Sequence, residues 1–73
     1  MNSPTYYMGE ASDSSVIVLK KDAQGEYLFC FPDNTWYETT FVIVRRFYNN
    51  PILTPISEKD CFKYIEIRRL LYL

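Results

Sequence analysis

The sequence predicts an α+β fold, in which a small antiparallel β-meander of three or four strands packs one face against a C-terminal α-helix. Three observations predict this class: short β-branched or aromatic runs, turn residues between those runs, and a helix-capping signal before the last segment. The chain has 73 residues, 18% of them aromatic, which suits a core built from a few large side chains. We therefore expect residues 1–73 to form a single domain.

The beginning of the chain predicts an irregular arm. Residues 1–13 combine Ser, Pro, Gly, Asn and Asp with a central Tyr6, Tyr7 and Met8. These three large side chains are expected to dock on the body of the domain. The arm has no basic segment followed by an apolar one, so it does not predict a signal peptide.

The next segments predict a hairpin. Residues 15–21 and 26–31 are short runs of β-branched and aromatic residues. Between them, residues 22–25 carry turn chemistry, and Gly25 can take a positive φ there. A second turn is predicted at residues 32–35, where proline suits the first central position.

The segment from Trp36 to Tyr48 predicts a third, long strand that stops at residues 49–51, Asn-Asn-Pro. Within it, residues 41–44 are apolar in succession, so Val42 and Val44 would lie on one face and their neighbours on the other. All three predicted strands are apolar on both sides, which is typical of a sheet buried on both faces. One helix covers only one face, so we expect a target protein or a symmetric copy, in a homodimer, to cover the other.

The last third of the chain predicts a short edge strand and then a helix. Residues 52–54 form the edge strand, which Pro55 ends. Ser57, followed three residues later by Asp60, is a capping signal for a helix over residues 58–71. The helix has an imperfect amphipathic stripe, in which one side carries Cys61, Tyr64, Ile65, Arg68 and Tyr72, with Ile67 and Leu71 beside it. The alternation of residues 65–67, Ile-Glu-Ile, also fits a strand, and this alternative stays open.

The residue types exclude most catalytic and metal-binding chemistry. The chain has no histidine, so neither a Ser–His nor a Cys–His nucleophile pair can be assembled, and the usual zinc ligand sets are missing. Two distant glycines do not make a phosphate-binding loop. We expect no enzyme activity, no catalytic residue, no cofactor and no metal. Cys30 and Cys61 are expected to be buried thiols, with a disulfide between them as the alternative.

Charge and hydropathy restrict the partners and the location. The formal net charge is −1, which provides no overall field to attract a polyanion. No apolar run approaches the length of a membrane span. We expect a cytoplasmic protein with no membrane partner.

The surplus of aromatic residues indicates a protein-binding function. Tyr and Trp are enriched at protein interfaces, so we expect an adaptor, or an inhibitor that occludes a partner, acting through an aromatic and apolar sheet face. The candidate interface residues are Trp36, Tyr37, Val42, Val44 and Tyr48. The alternative is a nucleic-acid or nucleotide binder, in which arginines beside aromatic rings hold phosphates and bases. Its candidate phosphate-binding residues are Arg45, Arg46, Arg68 and Arg69.

Overall fold

Five strands and two helices make up the computed structural model, which describes residues 3–11 and 14–71. The strands are β1 (Thr5–Glu10), β2 (Val16–Asp22), β3 (Gly25–Cys30), β4 (Thr35–Thr39) and β5 (Leu53–Ile56). The helices are α1 (Phe41–Phe47), between β4 and β5, and α2 (Glu58–Leu71), after β5. The α+β class is confirmed, with five strands rather than the three or four expected.

The strands form one antiparallel sheet in the order β4-β3-β2-β1-β5. The first four strands follow one another as a meander, and β5 returns to pair with the far side of β1. In the middle of the sheet, Leu19 lies opposite Tyr7 of β1 and Leu28 of β3. Helix α1 therefore connects the two opposite edges of the sheet.

The core consists of two apolar layers, one on each side of β2. Val18 lies in the first layer, with Cys61 and Ile65 of α2. Ile17 and Leu19 lie in the second, with Val44 of α1. Because successive residues of a strand point to opposite faces, each helix covers a different face of the sheet.

The expectation of an irregular N-terminal arm is wrong for residues 5–10, which form β1. Tyr6 is buried on the α2 side, and Tyr7 is half-buried on the α1 side, packed edge-on against Phe41. This strand pairs with a neighbour on both sides. The hydrogen bonds of these two pairings outweigh the weak strand propensity of the segment itself. Residues 1–2 and 12–13 of the expected arm lie outside the described residues.

Gly9 allows β1 to approach β5 closely. A Cβ at this position would lie 2.8 Å from Leu53 Cδ2 and 2.9 Å from the backbone oxygen of Ile52. The second neighbour is backbone, which cannot rotate away as a side chain can. The glycine that made the segment look irregular in sequence is therefore required by the strand pairing.

The expectation of one long strand over residues 36–48 is also wrong, because β4 ends at Thr39 and residues 41–47 form helix α1. Thr40 is the N-cap, and its Oγ1 accepts a hydrogen bond from Ile43 N at 3.2 Å. Glu26 Oε1, on β3, accepts a second from Phe41 N at 2.7 Å. Two of the unpaired N–H groups at the helix start thus find partners.

Packing and the C-terminal cap complete α1 despite its β-branched residues. Phe41, Val44 and Tyr48 recur at helical spacing, and all three pack against the sheet. After the helix, Asn49 and Asn50 adopt φ of 62° and 56°, a left-handed conformation that asparagine tolerates well. The pair Val42 and Val44, expected on one face, is separated by this geometry: Val42 is exposed and Val44 is buried.

The two predicted turns are present, although Gly25 does not adopt a positive φ. Asp22 Oδ1 instead accepts hydrogen bonds from Gln24 N at 2.8 Å and from Gly25 N at 3.1 Å. This side chain therefore shapes the β2–β3 turn. In the β3–β4 turn, Asn34 takes the left-handed conformation, with φ of 54°.

The helix predicted over residues 58–71 is confirmed, and the strand alternative is wrong. Ser57 Oγ accepts a hydrogen bond from Asp60 N at 3.0 Å, as the capping signal predicted. Cys61 and Ile65 are buried, and Tyr64 and Arg68 are half-buried on the same stripe. Tyr72 lies outside the described residues. The predicted edge strand is also present as β5, but Pro55 lies within it, where an edge position tolerates the missing N–H.

The helical assignment of residues 41–47 predicts unequal effects for two valines. Val44→Ala should lower the free energy of unfolding by about 2 kcal/mol, because a buried side chain is lost. Val42→Ala should change it by less than about 0.5 kcal/mol, because this side chain is exposed. Urea unfolding followed by circular dichroism measures both. Equal losses would contradict the helix, since a strand places both residues on one face.

The close approach at Gly9 predicts a loss of stability in Gly9→Ala. The added Cβ forces β1 and β5 apart, and we expect a loss of about 1–3 kcal/mol in the free energy of unfolding. Gly25→Ala is the matched control, because its Cβ would meet its nearest neighbour, Glu38 Oε2, at 3.4 Å. Thermal melts of the two variants should rank Gly9→Ala clearly below Gly25→Ala, and the reverse ranking would contradict the β1–β5 pairing.

Candidate functional site

The outward face of α1 carries three exposed apolar side chains, although the helix has only seven residues. Val42 is 61% exposed, Ile43 58% and Phe47 78%. Monomeric proteins leave single apolar residues at the surface, but a contiguous group is typical of an interaction site. We define the α1 surface as Val42, Ile43, Arg46 and Phe47.

Helix geometry places an arginine within this surface. At 100° per residue, the buried side of α1 is set by Phe41, Val44 and Tyr48. On the opposite side, Arg46 lies between Val42 and the pair Ile43 and Phe47. An apolar group around an arginine has the composition of a protein-binding hot spot, where Arg and aromatic residues are enriched.

Two grooves flank α1 on the same face of the sheet. The first has a volume of about 270 Å³ and lies between Thr39 of β4 and the side chains of Ile43 and Phe47. The second, of about 440 Å³, is lined by Leu28, Cys30 and Tyr37 among others. They exist because α1 is too short to cover the whole face.

The five candidate interface residues do not form one surface. Trp36 is half-buried on the α2 side, where its ring packs edge-on against Phe29 at 5.1 Å. Tyr37 is exposed on the opposite face of β4. Val42 belongs to the α1 surface, whereas Val44 and Tyr48 pack beneath the helix. The sheet face that was expected to be open is covered in its centre by α1.

Tyr37 is tied to the neighbouring turn. Its hydroxyl donates a hydrogen bond to Asp33 Oδ2. This bond, and next the charge of the carboxylate, raise the pKa of Tyr37. The hydrogen bond to Asp33 holds the Tyr37 ring beside the second groove.

The four candidate phosphate-binding arginines do not converge. Arg45 and Arg46 lie on α1 and Arg68 and Arg69 on α2, so the two pairs belong to opposite faces of the sheet. The guanidinium of Arg68 lies over the ring of Phe31, 5.6 Å from its centroid. A single groove lined by all four arginines is not present.

Several acidic residues have structural roles that account for their positions. Asp22 shapes a turn, and Glu26 caps α1 and lies 3.8 Å from Lys21 Nζ. Glu58 Oε1 accepts a hydrogen bond from the Tyr6 hydroxyl at 3.3 Å. Within residues 3–11 and 14–71, no group of three potential ligands is arranged to hold a metal ion.

The two cysteines are free and lie on opposite faces of the sheet. Cys61 is fully buried between α2 and Val18, whereas Cys30 of β3 lines the second groove and is half-buried. Burial, and next the charge of Glu58, raise the pKa of the Cys61 thiol to about 11. The expectation of a buried thiol is confirmed for Cys61, and the disulfide alternative is wrong. A thiol that is protonated and has no access to solvent does not act as a nucleophile.

Ile43 and Phe47 were missed as interface candidates when residues 36–48 were interpreted as a strand. The helical recurrence of Phe41, Val44 and Tyr48 is present in the sequence and identifies the outward pair by elimination. A further signal is Thr40, a good N-cap residue immediately before the apolar run.

Comparisons of the chain with protein-family models, with curated proteins and with solved structures found no match. Across the described part of the chain, neither helix has the length and hydropathy needed to cross a membrane.

The raised pKa of Cys61 predicts a loss of stability in alkaline solution. In the unfolded chain the thiol has its ordinary pKa of 9.0, whereas in the folded protein its pKa is about 11. Below pH 9 the neutral Cys61 thiol makes its full contribution to the free energy of unfolding, and this contribution disappears as the pH rises from 9 to 11. The free energy of unfolding should fall by about 2 kcal/mol more in the wild type than in Cys61→Ala. Urea unfolding at pH 9 and at pH 11 tests this. Equal losses in the free energy of unfolding in the two proteins would contradict the pKa assignment.

Proposed function

We propose that this chain is a non-enzymatic protein-binding module that acts, as an adaptor or an occluding inhibitor, through the α1 surface. The observation that supports this proposal is the 78% exposure of Phe47 beside Ile43 and Val42 on one short helix. Exposing these side chains does not help the fold, because Phe41 and Val44 already anchor the helix. A partner that covers them removes apolar area from water, at about 25 cal/mol per Å².

The chemistry of the α1 surface defines the partner's side of the contact. The groove between Thr39 and Phe47 accepts an apolar side chain, and Arg46 requires a carboxylate opposite it. A complementary protein therefore presents an apolar anchor next to an aspartate or glutamate. Arginine–carboxylate pairs of this kind fix the register of a contact more than they raise its affinity.

The exposed residues of α2 are a weaker candidate for the binding surface than the α1 surface. Phe62 of α2 is also exposed, but its ring packs edge-on against Tyr6 at 5.4 Å. Ile67 and Leu70 are exposed on α2. A groove of about 350 Å³ between β1 and β5 opens on the same face of the sheet, but no residue of α2 lines it. The α1 surface combines apolar side chains and an arginine with a groove that residues of the same helix line.

We also propose that the protein is located in the cytoplasm. Both thiols are free, and a reducing compartment keeps thiols in that state. Nucleic acid is the competing partner, and it would be held through phosphate contacts by one arginine pair. Phosphate contacts weaken steeply as salt rises, whereas an apolar interface does not. Salt dependence therefore separates the two partners.

A matched pair of isoleucine variants tests the proposal. Ile43→Ser alters the α1 surface, and Ile67→Ser alters α2 at a helical isoleucine of similar exposure, 50% against 58%. Immobilised wild-type and variant proteins are compared for the proteins that they retain from an extract of the source cells, by quantitative mass spectrometry. If Ile43 is a hot spot worth about 2 kcal/mol, Ile43→Ser should retain the partner roughly 10-fold less or worse.

The control should retain the partner at the wild-type level, and Phe47→Ser should behave like Ile43→Ser. Thermal melts confirm that each variant is folded. Retention that survives Ile43→Ser and Phe47→Ser, or that is lost in Ile67→Ser, contradicts the proposed surface. Retention of nucleic acid that disappears in high salt contradicts the proposed class of partner.

A further inference from the structure

The carboxylates on the α1 side of the sheet are already occupied. On β3, Glu26 lies 3.8 Å from Lys21 Nζ through one oxygen and caps α1 through the other. In the β3–β4 turn, Asp33 accepts the hydrogen bond of the Tyr37 hydroxyl. Alternation along the strands places the other described acidic strand residues on the α2 side. Among the described residues, this side has no carboxylate left for the cations of α1.

Those cations are Arg45 and Arg46, in the last turn of α1. Both are exposed, and neither guanidinium forms an ion pair in the described part of the chain. Around the helix axis Arg46 lies about 60° from Ile43, whereas Arg45 lies about 160° from it. Arg46 is therefore next to the groove that Ile43 lines, and Arg45 faces away from it. An anionic group in or beside this groove would neutralise Arg46.

The flank of α1 that faces β4 has the form of a helix-packing surface. Ile43 and Phe47 are separated by one helical turn, and both line the groove of about 270 Å³ with Leu28 and Thr39. Side chains four residues apart form a ridge, and such ridges pack into the grooves of a second helix. The groove therefore suits a helix whose apolar residues recur at spacings of three and four.

We propose that the partner binds through an acidic amphipathic helix, which lies beside α1 in this groove and pairs a carboxylate with Arg46. This inference rests on the function proposed above and specifies the partner's side of the same surface. The apolar stripe of the partner helix packs against Ile43 and Phe47, as in other helix-in-groove contacts. Its acidic residue flanks the stripe, where an arginine–carboxylate pair fixes the orientation of the helix.

Two other anionic or apolar occupants fit the α1 surface less well. An anionic lipid surface offers charge, but it is flat and does not fill a groove between α1 and β4. A second copy of the chain, in a two-fold contact through the same flank, brings Arg46 towards Arg46. The α1 side offers no unoccupied carboxylate to separate these two like charges.

Selection from a phage-displayed library of random peptides tests the proposal. Peptides of about 16 residues are long enough for about four helical turns. The full wild-type chain is the immobilised bait, and Phe47→Ser is used for counter-selection. We expect the enriched peptides to space apolar residues by three and four, with an aspartate or glutamate beside the stripe. Circular dichroism of a synthetic enriched peptide should show helix forming when the chain is added.

A charge exchange tests the contact with Arg46. In fluorescence anisotropy, Arg46→Glu should bind the enriched peptide about tenfold more weakly than the wild type. Replacing the acidic residue of the peptide by lysine should restore binding to Arg46→Glu and weaken binding to the wild type. Arg45→Glu is the matched control, because it makes the same change of net charge on the same helix. It should stay within about twofold of the wild type, and thermal melts confirm that both variants are folded.

Several results would overturn the proposal. Enriched peptides whose apolar residues alternate with a period of two would indicate an extended segment. Equal losses in Arg45→Glu and Arg46→Glu would remove the specific ion pair. A selection that enriches no peptide would exclude the helix, and binding to phosphatidylserine vesicles or dimerisation in sedimentation equilibrium would then identify the occupant as a lipid surface or a second copy.

Failure of this inference is distinguishable from failure of the proposed function. If Ile43→Ser and Phe47→Ser still retain the partner from the cell extract, the α1 surface itself is wrong. If both variants lose the partner but the enriched peptides are extended or indifferent to Arg46, the surface stands and only its acidic helical partner is wrong.

Discussion

Burial of β2 on both faces is the constraint on which the rest of the structure depends. Its residues Ile17, Val18 and Leu19 follow one another and are all buried, so apolar cover is required above and below the same strand. A chain of 73 residues meets this requirement with one helix on each side. Helix α1 is short, because the chain that forms it must also return from one edge of the sheet to the other. Because α1 is short, part of this face of the sheet stays uncovered, and the grooves beside the α1 surface lie there.

The elements predicted correctly are those whose signals lie within a few residues. The hairpin around Asp22 and the helix capped by Ser57 each have their turn or cap inside the segment itself. By contrast, β1 and α1 depend on distant groups. The glycine of β1 makes sense only against β5, and α1 is capped in part by Glu26, which is fifteen residues away from Phe41. Local propensity does not contain these partners, and tertiary contacts override it.

Local sequence signals also fail to identify the single residues of the candidate site. Interpretation as a strand grouped Val42 with Val44, because the period of a strand is two; the helix has a period of 3.6 and groups Val42 with Arg46 instead. The aromatic surplus indicates large side chains correctly, but most of them belong to the core layers: Tyr6 lies within one layer, and Tyr7, Tyr48, Tyr64 and Trp36 pack against the two layers. The apolar residues of the α1 surface are aliphatic apart from Phe47, and their composition alone does not distinguish them from core residues.

The position of β1 between β2 and β5 has a consequence for how the chain folds. Strands β2, β3 and β4 are joined by short turns and can pair early, since closing a short loop costs little entropy. Tyr6 pairs with Ile56, fifty residues later in the chain, so one side of β1 finds its neighbour only after β5 is available. On a ribosome, the sheet would therefore remain incomplete until β5 has been synthesised. In refolding, we expect the amides shared by β1 and β5 to become protected from hydrogen exchange last.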